Sequence, residues 1–305
     1  MKLDFRVWLV LLVVMTCFAA NSVITRYLVL VSRVSPFLLT VIRFVSGLFM
    51  LMILTSTRPS TFRHAKPSFS YLPGAVFLGA YAFAISYGYL FIPVAAGTFV
   101  FYTFVVLTMF AYSIIEDKEE LTLRSLLGQL SGLLGVLVIT FSKIGSVTLL
   151  GVLLMAATGT SWGLYSAYGK RFEITFSYTF NSFLIFGAGA IIASMTLALS
   201  GQSISTNISL QDLGLALYMG TLSTALSYIV WNATVKKIAP SLGGLVQLGV
   251  PILAPFMGII FLAEQVSPAL MLGGGFVLLG IYLARPTRSH TKEEPRILHT
   301  STSGI

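Results

Sequence analysis

Ten stretches of roughly twenty mostly apolar residues, each ended by charge, proline or glycine, follow one another along this chain. They cover about 7–29, 36–56, 71–91, 96–115, 123–141, 149–169, 178–199, 212–234, 241–262 and 268–284. A run of this length is what an α-helix needs to cross the hydrocarbon core of a bilayer. A membrane β-barrel asks instead for strands of about ten residues that alternate apolar and polar side chains. The apolar content here is continuous, so the spacing predicts an all-α membrane protein of ten transmembrane helices. Only 10% of the 305 residues are charged, against about 25% in soluble domains, and the short loops leave no room for a soluble domain. Residues 7–29 are too long for a cleaved leader and are read as a retained first helix. The single cysteine, Cys17, excludes an internal disulfide.

The formal net charge of +9 raises the question of nucleic acid, which the placement of the cations answers. With ten spans, one side of the membrane collects fifteen of the nineteen Lys and Arg, from Lys2 and Arg6 to Arg296. The other side receives Arg26, Arg33 and Lys143, and Arg43 falls inside the second span. Cytoplasmic loops carry the excess of Lys and Arg, so both termini are expected in the cytoplasm. The positive charge then reports topology in the plasma membrane, with the bilayer and a small molecule as partners and no nucleic acid.

The two halves of the chain resemble each other. EELTLRSLLGQLSGLLGV (119–136) aligns with EQVSPALMLGGGFVLLGI (264–281), which pairs Glu119 with Glu264 and Gly128 with Gly273. SYGYLFIPVAAGTF (86–99) and FAANSVITR (18–26) find weaker counterparts at 227–242 and 162–170, in the same order. Five helices per half is an odd number, so the second half enters the membrane upside down. Two inverted five-helix repeats, residues 1–145 and 146–285, are therefore expected, followed by a disordered cytoplasmic tail at 286–305. Inverted repeats are a common architecture of secondary transporters, with the site near the midplane between the halves.

The five-plus-five pattern, the stretch YIVWNATVKKIAPSLGGL (228–245), Pro251 in the next helix and LAEQVSPALMLGGGFVLLGIYLA (262–284) resemble the EamA-type transporters of the drug/metabolite transporter superfamily. Arg43, in TVIRFVSG, sits where that family commonly has an arginine, and FYTFVVL (101–107) is similar to its aromatic amino acid exporter branch. The fourth span lacks the proline that relatives often carry near Val105, and FAANS (18–22) stands where many have WGS. The resemblance implies a basket of ten helices around a central cavity that exports metabolites, amino acids including aromatic ones being the first expectation. Nucleosides, amines or other drugs and lipid precursors are alternative cargoes on the same machine. A membrane-embedded enzyme or a non-transporting scaffold or receptor is the alternative from another class.

Several residues invite a role in the cavity. Arg43 is the one formal charge well inside an expected span, and such a charge is costly unless it is paired or hydrated. A carboxylate on the substrate would be its natural partner; a structural role at helix ends and snorkelling to an interface are the competing readings. In the eighth span Thr224, Tyr228 and Trp231 or Asn232 recur at helical spacing, which suits a cavity wall, an interfacial aromatic belt or polar helix–helix contacts. Asn21, Ser22, Tyr81, Tyr102, Trp162 and Tyr165 are further candidates. In the ninth span Pro251 and Pro255 each remove a backbone hydrogen bond, tolerable in lipid only where protein or a wet cavity satisfies the freed carbonyl. A kink beside the cavity is expected there, with Gln247 one turn before it. Gly128 and Gly132 have the spacing of close helix packing. Glu264 is expected to satisfy the turn before the tenth helix.

No Asp or Glu lies in mid-membrane, and His64, His290 and His299 are all outside the runs. Proton-coupled carriers often place such groups in the pathway, so transport down a gradient or with indirect coupling is expected. The same absence speaks against acid-base, nucleophilic or metal-assisted catalysis, and no phosphate-binding loop appears. No enzyme activity and no cofactor or metal are expected; oligomeric state is left open.

Overall fold

The computed structural model describes residues 5–58, 68–116, 122–141, 147–200, 208–235 and 249–284. Its elements are helical, and among the described residues no strand occurs. Helix α1 (Phe5–Arg26) runs on through a π turn, Tyr27–Val31. There follow α2 (Pro36–Thr57), α3 (Leu72–Gly88, entered through a 3-10 turn at Phe69–Tyr71), α4 (Val94–Glu116) and α5 (Leu123–Phe141). The second half holds α6 (Leu149–Gly169) and α7 (Thr175–Leu199). Next is α8, in which Leu210–Tyr218 and Ser227–Val235 are joined by a π segment, Met219–Leu226. Helices α9 (Gly249–Leu262) and α10 (Pro268–Ala284) complete the set.

Eight of these, counting α1 and α8 with their π segments, are long and apolar enough to cross a membrane, and α9 and α10 are shorter apolar helices. The expected start of the ninth run, with Gln247, lies outside the described residues, as do Glu119 and the tail. Local chemistry places the helix starts. Pro36 opens α2, where its missing N–H is no loss. The Thr148 and Ser209 side chains accept from the amides of Gly151 and Asp212 to cap α6 and α8.

The halves interleave. Helix α5 packs along α10, α4 and α3 against α6, and α1 against α9, while α2 lies on the π segment of α8 and on α7. Glycine makes the α5–α10 contact possible: a β-carbon on Gly280 would lie 2.6 Å from the Gly128 carbonyl oxygen and 2.6 Å from the Gly132 amide. Such backbone approach is how membrane helices pack without a hydrophobic driving force between them. Leu127, Leu130, Leu134 and Leu137 of α5 and Ile252, Phe256 and Ile260 of α9 face outward. That orientation suits hydrocarbon, which satisfies no backbone group but accepts apolar side chains.

One expectation about charge needs correcting. Arg43 is not alone within a span, because Arg26 also lies inside the first one, Leu9–Val31, as it did inside the expected run 7–29. Arg26, counted above among the loop cations of one face, is thereby a buried residue of this span, 7% exposed.

Candidate functional site

The buried face of α2 comprises Leu39, Thr40, Arg43, Phe44, Gly47, Leu48 and Leu51, spaced at three and four residues as a single helix face requires. Arg43 is therefore driven inward by its neighbours and is 1% exposed. Its Nε donates to Thr224 Oγ1 at 2.8 Å. Its Nη2 donates to the hydroxyls of Tyr81 at 3.1 Å and Tyr228 at 3.4 Å. Its guanidinium carbon lies 5.3 Å from the ring centroids of both Phe44 and Tyr81, within cation–π range. Among the described residues no carboxylate pairs with Arg43, and its Nη1 has no hydrogen-bond partner.

The π segment of α8 makes this arrangement possible. Such segments are rare and frequent at functional sites. Here Gly220 meets the Arg43 carbonyl so closely that a β-carbon could not be placed between them. The two helices approach there, and Thr224 and Tyr228, four residues apart, both reach the guanidinium.

In front of Arg43 lies a small cavity lined by Phe18, Asn21, Ser22, Tyr81, Phe101, Tyr102, Trp162 and Tyr228. It has room for about one water molecule. Its walls are aromatic: Trp162 stands 4.6 Å from Tyr228 and 5.2 Å from Tyr81 between ring centroids. Phe18 meets Trp162 and Tyr228 edge-on at 6.0 and 5.8 Å. Asn21 reaches Tyr81 from the cavity side, its Nδ2 donating to the hydroxyl at 3.4 Å, while its Oδ1 has no partner among the described residues.

Arg43 itself does not line this cavity. It stands behind Tyr81 and Tyr228, whose oxygens accept from it. A phenol whose oxygen accepts from a guanidinium keeps its own hydrogen to donate, with a positive charge behind it. The wall thus offers hydroxyl donors backed by a cation, set among rings. This is chemistry for an anionic or acceptor-bearing group attached to an apolar body.

Of the residues singled out in the sequence, Asn21, Ser22, Tyr81, Tyr102, Trp162 and Tyr228 come together on the cavity wall, with Arg43 and Thr224 one layer behind. Tyr165 stacks on the far side of Trp162, at 5.5 Å. Trp231 touches Phe18 edge-on at 6.3 Å without lining the cavity. Asn232 turns elsewhere, its Nδ2 donating to Thr179 of α7 at 3.2 Å. Pro251 is buried in the first turn of the described α9, and Pro255 lies inside that helix; proline has no amide to offer the carbonyl four residues before it. Phe18 and Phe101 were not singled out: a phenylalanine in an apolar run carries no mark that separates cavity from lipid.

The sequence pattern of the EamA-like transporter family matches the chain twice, over residues 6–141 and 149–285. This chain belongs to the EamA-like transporter family. An uncharacterized protein of Pseudomonas aeruginosa is 31% identical over 293 residues, covering 93% of this chain and 98% of that one. An uncharacterized transporter of Clostridium kluyveri is 27% identical over 201 residues, 64% of each chain. A protein of known crystal structure shares the fold, with a TM-score of 0.62 over 92% of this chain and 95% of that one at 20% identity. As an EamA-like protein with apolar helices of spanning length, the chain is a multi-pass membrane transporter, with a small-molecule substrate and the lipid bilayer as its partners.

Proposed function

We propose that this transporter is a secondary, alternating-access exporter of small metabolites, with amino acids, including aromatic ones, as its cargo. The observation that carries the reading is the buried Arg43 guanidinium, without a counter-ion among the described residues and tied to two tyrosines of an aromatic-walled cavity. A substrate carboxylate would meet the Tyr81 and Tyr228 hydroxyls with the Arg43 charge behind them, whose Nη1 has no partner among the described residues. The Asn21 Oδ1, also without a partner among the described residues, is the acceptor for an α-ammonium. Phe18, Trp162 and Tyr102 would flank the side chain, where an aromatic ring gains edge-to-face and stacking contacts.

Alternating access accounts for the size of the cavity. Room for about one water is too little for an amino acid, so the binding state requires the walls to part. We read residues 1–145 and 146–285 as two inverted halves that rock against each other in the plasma membrane, both termini in the cytoplasm, with the Pro251–Pro255 region of α9 as the flexible element beside α1 and α4. Export would carry the substrate from the cytoplasmic side.

The test is counterflow of labelled aromatic amino acids into proteoliposomes, with and without a pH gradient. Exchange competed by aromatic amino acids, but not by the matching amines that lack the carboxylate, is expected. With no acidic or histidine side chain lining the cavity among the described residues, the rate should change little between about pH 6 and pH 8. Equal competition by the amines would overturn the carboxylate assignment. No exchange of any amino acid would overturn the cargo.

A further inference from the structure

An ion pair lies at each end of α4, and each pair joins one half of the chain to the other. At the end where α1 finishes, Arg26 Nε meets Glu264 Oε1 at 3.1 Å, the two side chains only 8% and 11% exposed. Arg26 Nη1 also donates to the Tyr89 carbonyl at 2.6 Å. The Glu264 carboxylate accepts in addition from the amides of Val94 at 2.8 Å and Ala95 at 3.4 Å, in the first turn of α4. It does not serve its own turn, as its position in the sequence suggested; it ties the α9–α10 connection to α1 and α4. The local backbone is shaped for this contact. Ala263 takes a positive φ of 52°, and a β-carbon on Gly258 would lie 3.0 Å from Glu264 Oε2. Beside it, Ser32 Oγ donates to Asp212 Oδ1 at 2.8 Å, a second contact between the halves at this end.

At the other end of α4, Glu116 pairs with Arg171, just beyond α6. Arg171 Nε donates to Tyr112 Oη at 2.8 Å. This hydrogen bond and the nearby carboxylate raise the Arg171 pKa further above its ordinary value. The pair is open to solvent, with side-chain exposures of 50% and 44%. The 23 residues of α4 rise about 34 Å at 1.5 Å each, so the two pairs belong to opposite faces of the membrane.

The environments decide what each pair can do. Breaking a desolvated, fully bonded pair strands a charge out of water, whereas an exposed pair parts at little cost. We propose that Arg26–Glu264 is the latch that holds one entrance of the transport path shut in this conformation. Glu116–Arg171 is its looser counterpart at the opposite entrance, and the two tighten and part alternately during the cycle. The proposal rests on the alternating-access reading and adds to it the residues that hold the gates.

The latch is tested by the accessibility of a cysteine at the cavity. In a Cys17→Ser, Ser22→Cys background, a membrane-impermeant charged methanethiosulfonate is applied to either face of oriented vesicles. Glu264→Gln keeps the shape and one acceptor oxygen but removes the charge. It is expected to speed modification from the face where α1 ends by about tenfold and to slow it from the other face. Glu116→Gln is expected to shift the two rates the opposite way, by a smaller factor. Should Glu264→Gln not fold, Arg26→Lys keeps the charge but loses one of the two bonds that Arg26 makes, and should move the rates as Glu264→Gln does. Rates that rise on both faces together, or that do not move in the folded variants, overturn the latch. The labelling needs no substrate, so that outcome is distinct from a failure of counterflow, which would remove the cargo and leave the gate.

Discussion

Replacing Arg43 with methionine should separate stability from transport. Arg43 donates hydrogen bonds to Thr224 at 2.8 Å, Tyr81 at 3.1 Å and Tyr228 at 3.4 Å. Bonds to a charged group contribute about 1.5–3 kcal/mol each, the longest at the low end. Against them stands the cost of holding a guanidinium out of water with no carboxylate beside it among the described residues, several kcal/mol after relaxation. The two terms nearly cancel. Methionine fills most of the volume, and the Tyr81 hydroxyl keeps Asn21 Nδ2 as a neighbour. The unfolding free energy is therefore expected to change by no more than about 2 kcal/mol in either direction. Transport should respond differently, because a carboxylate brought into the site would meet no cation. Leaving one buried charge unpaired costs about 3–5 kcal/mol, and each 1.4 kcal/mol is a factor of ten. Counterflow should fall by roughly two to three orders of magnitude. Thermal unfolding in detergent and counterflow on the same preparation give both quantities. Arg43→Lys, which keeps the charge but loses the planar fork, should lie between. Wild-type counterflow by folded Arg43→Met protein would refute the binding role. A destabilisation above about 4 kcal/mol with transport lost in proportion would instead make Arg43 a structural anchor.

Two further outcomes test the cavity and the packing around it. Trp162→Leu should leave counterflow of aliphatic amino acids near wild type while weakening competition by aromatic ones about tenfold, since ring pairs contribute up to about 1.5 kcal/mol beyond area burial; unchanged competition would move the aromatic contact elsewhere. Gly280→Ala should lower stability by about 1–3 kcal/mol through overpacking, because its β-carbon would meet the backbone of Gly128 and Gly132 at 2.6 Å and neither can yield. Gly275→Ala on the same helix, with nothing within 4 Å among the described residues, is the control and should cost almost nothing.

Glu264 and Asn232 show where reading from neighbours in the chain fails. Glu264 looked like a residue serving its own turn, yet its partner Arg26 is 238 residues away and its other contacts are the amides at the start of α4. Asn232 lies one turn after Tyr228 in the same helical segment, yet its amide is spent on Thr179 of α7. Phe18 and Phe101 line the cavity unannounced. In each case the deciding neighbour comes from another helix, and a helix face says only that a residue is buried.

The chain by itself determines its helices and the family it resembles. A bilayer tolerates backbone only with its hydrogen bonds satisfied internally, so apolar runs of spanning length have little choice but helix, and a charge such as Arg43 among them stands out. The tertiary structure alone decides which hydroxyls meet that charge, that Arg43 stands behind the cavity wall, and that one cross-half ion pair is buried while the other faces water. The physical reason is that burial and pairing are properties of several helices at once. The energy of a charge depends on what surrounds it, and in this chain those surroundings come from residues up to 238 positions away.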